Sequence, residues 1–388
     1  MSTLKVDGIR SNSATSDAIT LADNGTCTAN ITNRSNRNLI INGAMQVAQR
    51  GTSSTSDGFQ TVDRFSSAMT GQDEAPTYAQ VDIASGTTPY TLGFRKAFKV
   101  TNGNQTSGAG VSNFLFLHHQ IEAQNVATSG WNYTSASSFI TLSFWVKSSV
   151  AQNFYGYLRT QDGTQQRYAF ETGSLSADTW TKVTKTISGN SNIQIDINTE
   201  SGLGVYFAPF FGTTYTDSGV SLNAWGAYSS ATRTPDNTST WYTTNDATFE
   251  ITGVQLEVGS VATDFEHRSF AQELELCKRY FQIIKGDFDD YTGLSAYSES
   301  TTSVRIPVQL SPPMRAAFTH SKSGTFRFQG ATNDSNDSSS SFALHGVNTS
   351  FNACTIRNTS YSGMGAADRP GNLQFRQNNS SLKFDAEL

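Results

Sequence analysis

A chain of 388 residues is long enough for two or three domains with a sizeable core. Only 15% of its residues are charged and 36% hydrophobic, yet it carries 25 Phe, 14 Tyr, 5 Trp and 31 Gly; this suits an all-β protein rich in turns and excludes a disordered chain. The balance of 27 basic against 32 acidic residues, net −5 with no basic run, argues against polyanion binding and excludes nucleic acid as a principal partner.

The start, MSTLKVDGIR, has no apolar run of signal-peptide length, and nowhere do apolar residues approach a run of about 18. The expectation is a soluble chain without membrane insertion that leaves its cell by a route other than secretion. Residues 1–37 are polar with brief alternation at Leu4/Val6, Ile19/Leu21 and Cys27/Ala29/Ile31. Asp23-Asn24-Gly25 reads as a hairpin turn. So short a piece is expected to pair with a neighbour.

From 38 to 265 the chain reads as strands. In ITLSFWVK, Ile140, Leu142, Phe144 and Val146 point one way, and Thr141, Ser143, Trp145 and Lys147 the other. TWTKVTKTI at 179–187 alternates likewise, and strand-like runs are expected at 154–160, 166–172, 193–198 and 204–211. Many short strands with alternating faces imply a two-sheet sandwich.

At 249–281 the period changes. Val254, Leu256 and Val258 alternate with Gln255, Glu257 and Gly259, as in a half-buried strand. Phe270, Leu274, Cys277, Phe281 and Ile284 then recur at spacings of four, three, four and three, predicting a helix over about 268–284 inside a linking segment 266–285. That stripe either packs on its own β domain or forms an oligomer seam on a shared axis. Residues 286–388 return to β character; the tract ATNDSNDSSSS (331–341) reads as an exposed loop, and SLKFDAEL as a terminal strand.

Chemistry-bearing patterns are sparse. The three cysteines, Cys27, Cys277 and Cys354, have neither metal-ligand spacing nor a disulfide framework, which fits a reducing site of synthesis. His118 and His119 would point to opposite faces of a strand, a poor metal site. There is no G-x-S-x-G, H-E-x-x-H, phosphate-loop or dinucleotide pattern, so no enzyme, metal or cofactor is expected. The carboxylates Asp57/Asp63, Asp73-Glu74 and Asp287-Phe-Asp-Asp have no context that forecasts an acid–base pair. Aromatic faces bordered by amides and hydroxyls suit sugars instead. The glycan-binding candidates are Trp145, Tyr155, Tyr157, Arg159, Trp225, Trp241 and Tyr242, each of which has packing against a sheet, loop or subunit as its competing explanation.

The segments NLIINGAMQVAQRG (38–51), TVDRF (61–65), HHQIEAQNV (118–126), ITLSFWVKSS (140–149), DTWTKVTKTISG (178–189), the 249–281 junction and SVRIPVQLSPPMRAAFT (303–319) resemble, in the same order, segments of bacteriophage tail fibre and other virion appendage proteins with a carbohydrate-binding-like jelly roll. The resemblance implies a mainly β chain: a jelly-roll β-sandwich (38–265) joined by a short helix (266–285) to a C-terminal β domain (286–388). It also implies a 1–37 segment attaching to other virion proteins, a homotrimer, assembly into the virion in the host bacterial cytoplasm, and adhesion to host-surface polysaccharide. A capsid-bound fibre or decoration protein and a glycan depolymerase are the alternatives.

Overall fold

The computed structural model describes residues 6–10, 12, 19–21, 27–29, 36–330, 335–338, 342–345, 351–361 and 367–388. Strands β1 (Gly8–Ile9), β2 (Ile19–Leu21) and β3 (Cys27–Ala29) pair antiparallel with one another. The Asp23-Asn24-Gly25 turn lies outside the described residues.

An antiparallel sandwich follows. Its strands are β4 (Ser53–Ser54), β5 (Phe65–Thr70), β6 (Thr77–Asp82), β7 (Lys96–Thr101), β8 (Phe114–Glu122), β9 (Phe139–Ser148), β10 (Asn153–Thr160), β11 (Gln166–Ser174), β12 (Thr181–Ser188), β13 (Ser201–Phe211), β14 (Trp225–Ala227) and β15 (Thr248–Val258). One six-stranded sheet has the order β14-β11-β10-β13-β8-β5, the other β12-β9-β15-β7-β6-β4. The one-turn helices α1 (Thr88–Thr91), α2 (Ala123–Ala127) and α3 (Thr240–Thr243) lie in the connections. Alternation fills the core as expected: Ile140, Leu142, Phe144 and Val146 of β9 are fully buried against Leu115, Leu117, Val205 and Phe207 of the facing sheet. Phe144 and Phe207 meet edge to face at 4.9 Å.

Two details depart from the pattern in the sequence. Residues 193–198 form no strand; Ile193 and Ile195 insert into the core from an irregular segment while Ile197 is exposed. In β15 the polar partners of the alternation are buried too. Gln255 donates to Glu257 and to the carbonyl of Asp264, because residues 260–267 cross back over that face of the sheet.

Helix α4 covers Phe270–Lys278 and begins with a capping box between Ser269 and Gln272. It is shorter than the stripe predicted. Phe281 and Ile284 belong to β16 (Phe281–Gly286), where the β-branched pair Ile283-Ile284 favours extended backbone and β25 (Ser380–Asp385) supplies the ladder. Phe270 is exposed, Leu274 is half-buried and Cys277 is buried, so the five positions do not form one helical seam. Instead the helix docks through Glu273, which accepts from the Asn42 amide and pairs with Arg268.

The remaining strands are β17 (Tyr291–Ser298), β18 (Val304–Gln309), β19 (Thr319–Ser323), β20 (Phe326–Gly330), β21 (Ser335–Ser338), β22 (Ala343–Leu344), β23 (Ala353–Asn358) and β24 (Arg369–Phe375). They form sheets β16-β25-β19 and β21-β20-β24-β17-β18-β23-β22 around a second core that includes Ile306, Phe326, Phe328, Leu373 and Phe384. Ser335–Ser338, within the tract expected to be loop, pair with β20; the rest of 331–341 lies outside the described residues.

The two cores are joined by a buried charged junction. Arg64, fully buried, pairs with Glu387 and donates to the Gln120 carbonyl at 2.6 Å. Arg279 grips Glu122 with two bonds of 2.7 and 2.8 Å, and the Tyr280 hydroxyl donates to the same carboxylate at 2.6 Å. Burial pushes Glu122 up, but the bonds from Arg279 and Tyr280 outweigh it and hold the carboxyl below its ordinary range. Arg315 donates to the carbonyls of Ala386, Thr199 and Glu387. The D-R-F, H-H-Q-I-E, K-R-Y-F and P-P-M-R segments thus converge here. Their charged residues hold the two cores together.

Candidate functional site

The outer face of the β14-β11-β10-β13-β8-β5 sheet is paved with rings. Register with β5 and β13 turns Leu115, Leu117, His119 and Ile121 of β8 into the core and Phe114, Phe116, His118 and Gln120 outward. Phe114 and Phe116 lie 5.4 Å apart, and Phe116 and His118 5.7 Å apart. Next to this row, His118 stacks on Tyr206 at 5.2 Å, and Tyr206 lies parallel to Tyr157 of β10 at 4.4 Å. The connection 212–238 folds over part of the pavement, packing Tyr215, Val220, Leu222 and Tyr228 against it. Phe114, Phe116, His118, Tyr215 and Tyr228 remain partly exposed.

A polar rim borders the rings. Gln120 and Gln161 both donate to the Tyr206 hydroxyl, at 2.9 and 3.1 Å, and Ser201 donates to Gln120. The Arg159 guanidinium lies 3.9 Å from the Tyr228 ring centroid, and that of Arg233 lies 4.7 Å from Tyr215 and 5.3 Å from Phe211. Burial, followed by the charge of Arg64, pushes the His118 imidazole down to about 4. Burial and the neighbouring Tyr206 push the Tyr157 phenol well above its ordinary value. At neutral pH both are uncharged flat surfaces. Such a face can stack on the apolar side of a pyranose while amides meet its hydroxyls.

The sequence-derived glycan candidates fall in four places. Tyr155 and Arg159 lie half-buried on this outer face, and Tyr157 is on it too but fully covered by its neighbours. Trp225 sits on β14 with its ring partly buried against the main core, its Nε1 donating to the Ser188 carbonyl at 2.7 Å. Trp241 and Tyr242 are fully buried: α3 presses them into the sandwich core, where Trp241 donates to the Thr248 carbonyl and Tyr242 stacks on Phe210. Neither can meet a ligand. Trp145 lies on the opposite side of the sandwich and, with Phe94, Phe265, His267 and Lys182, lines a cavity of about 270 Å³. Gly253 opens this cavity: its φ is +61°, and a Cβ there would come within 2.7 Å of the Phe94 ring.

Phe114, Phe116, Tyr206 and Arg233 were not among the candidates. The available signal was F-x-F-x-H at 114–118, aromatic at every second position of a strand that is apolar on both faces.

No protein-family model and no curated protein matches the chain. Among solved structures it is similar to the enzymatically active domain of bacteriophage CBA120 tailspike protein 4, with 11% identity, TM-score 0.30, 57% of this chain and 21% of that chain covered. It thus spans about a fifth of that tailspike chain. It is also similar to the N-terminal cellulose-binding domain of Cellulomonas fimi β-1,4-glucanase C (10% identity, TM-score 0.26, covering 56% and 99%). A third likeness is to the family 11 carbohydrate-binding module of Clostridium thermocellum (9% identity, TM-score 0.24, covering 56% and 98%). These scores are too low to carry a ligand or activity from any of the three to this chain.

Proposed function

We propose that this chain is a non-enzymatic phage virion appendage protein that adheres to host-surface glycan through the outer ring-paved face of the sandwich. The single observation that carries the glycan reading is the row Phe114–Phe116–His118, partly exposed, uncharged at neutral pH, and bordered by Gln120 and Gln161. The appendage reading rests on the ordered segments that resemble virion fibre proteins. In it, residues 1–37 attach to other virion proteins, and the chain assembles as a homotrimer in the host bacterial cytoplasm. Repetition by symmetry would turn weak single contacts into intramolecular ones, raising avidity by about 10²–10⁴.

The test is binding of the purified protein to immobilised host-surface polysaccharide. Phe116→Ala is expected to weaken binding by about tenfold or more, equivalent to about 1.4 kcal/mol, while Trp145→Ala leaves it unchanged. Loss with Trp145→Ala and retention with Phe116→Ala would move the site to the other sheet. New reducing ends in the incubated polysaccharide would turn the reading into that of a depolymerase. Imaging virions that carry a 1–37 deletion distinguishes a tail from a capsid position by which structure loses the protein.

A further inference from the structure

Three guanidiniums converge on the ring-paved face with no carboxylate among the described residues paired to them. Arg159 and Arg167 are register partners across β10 and β11, on the same side of the sheet as Tyr157 and Ala169. Arg167 is 7% exposed, donates from Nη1 to the Thr232 carbonyl at 2.8 Å, and its Nε has no partner. The next residue, Arg233, also has a buried Nε without a partner, and its guanidinium rests on the rings of Tyr215 and Phe211. Among the described residues, the Arg159 side chain donates to the neutral oxygen of Gln165 alone. Tyr157 lies 6.4 Å from the Tyr228 ring, on which Arg159 rests, and 6.3 Å from the Phe211 ring, near which Arg233 lies, so both guanidiniums border the surroundings of one phenol.

Arg64, Arg268 and Arg279 by contrast each reach a carboxylate, although the Nε of Arg64 and of Arg268 is likewise without a partner. Carboxylates on the same and adjoining segments make other contacts. Glu171 accepts from Asn153, Asp236 from Thr216, and Asp217 from the Gly219 amide. Burying a cation with neutral partners is costly, and Arg167 shows that cost, its guanidinium lowered from its ordinary value by desolvation. A ligand anion would offset it, and planar guanidiniums suit carboxylate and sulfate oxygens.

We infer that this face takes an acidic polysaccharide, stacking a sugar ring on Phe114–Phe116 and receiving its carboxylate or sulfate among Arg159, Arg167 and Arg233. The inference rests on the glycan reading above and narrows its ligand class. The chain's net negative charge is no obstacle, because the cluster is local.

Affinity electrophoresis tests it with alginate as the carboxylate probe, dextran sulfate as the sulfate probe and dextran as the neutral one. Retardation is expected in at least one acidic gel and not in dextran, reduced at least tenfold by Arg233→Gln and by Phe116→Ala, and unchanged by Lys185→Gln on the opposite sheet. Thermal melts of each variant establish that it is folded. Equal retardation by dextran, no retardation by either acidic gel, or no effect of Arg233→Gln would overturn the anionic inference. If Phe116→Ala alone abolishes binding, the glycan face stands and only its acidic specificity falls. If neither Phe116→Ala nor Arg233→Gln matters, the glycan reading of this face falls with it.

Discussion

The guanidinium of Arg64 lies 3.4 Å from the centroid of the Tyr280 ring, with no solvent exposure. Arg64 precedes β5 in the sandwich, whereas Tyr280 leads into β16 of the C-terminal sheets, so the contact exists only when the two cores are docked. Removing one partner of a buried ion pair costs about 3–5 kcal/mol, because the other charge is left without compensation. Arg64→Ala should therefore destabilise the protein by about 3 kcal/mol, the low end of that range, because Arg50 still pairs with Glu387 at 3.2 Å while the bond to the Gln120 carbonyl is lost. Adding Glu387→Gln should restore part of the loss. Urea unfolding of the two single variants and the double variant measures the coupling; additivity within about 0.5 kcal/mol would show that the two charges do not act as a pair.

Asn38 is a second, smaller staple. Its Oδ1 accepts from the amides of Ile40 and Leu256, each at 3.0 Å, and its Nδ2 donates to the Val254 carbonyl. One side chain thus ties the entering chain to the interior of β15. Asn38→Ala leaves buried backbone groups unmatched at about 1–3 kcal/mol each, so a loss of about 3 kcal/mol is expected. Asn104→Ala, at an exposed position, should stay within about 0.5 kcal/mol of the parent. Equal denaturation midpoints for the two variants would remove Asn38 from this role.

Gly253 tests the Trp145 cavity. The residue lies where β15 shifts register against β9, at φ +61°, and a Cβ there would stand 2.7 Å from Phe94 and 3.2 Å from Trp145. Gly253→Ala should cost about 1–3 kcal/mol through backbone strain alone, with the ring contacts adding to it. Because Trp145 must shift, its fluorescence should change as well. An unchanged melting temperature and spectrum would mean that the bulge relaxes freely.

Much of the sandwich could be read from the sequence because its information is local. Ile140 to Val146 alternate, and the sheet buries the side that alternation names. What was misread depended on distant chain. Phe281 and Ile284 fit a helical stripe until β25, about a hundred residues later, offers them a ladder. The polar run PDNTSTWYTT leaves exposure and packing equally open for Trp241 and Tyr242; α3 turns both into the core, a placement set by tertiary packing. The ring-paved face was hidden for a related reason. Phe114 and Phe116 resemble core residues in sequence, and only the sheet's two-sidedness shows that they point away from Leu115 and Leu117.

Protonation provides the last prediction. Burial and the charge of Arg64 hold His118 at about 4, below its ordinary 6.5. The unfolded chain therefore takes up a proton as pH falls through about 6.5, while the folded chain resists until about 4, so His118 makes stability fall on acidification across that window. Asp63 acts in the opposite direction. Burial raises its carboxyl from 3.8 to about 6, so it favours the folded state at low pH and loses that contribution as pH rises through about 6. His118→Gln should flatten the acid-side decline in melting temperature, and Asp63→Asn should steepen it. Melting curves between about pH 4 and about pH 7 measure both slopes. Slopes that match the parent in both variants would show that neither proton is linked to folding. Opposite changes would tie His118 on the ring face and Asp63 at the junction to one pH response.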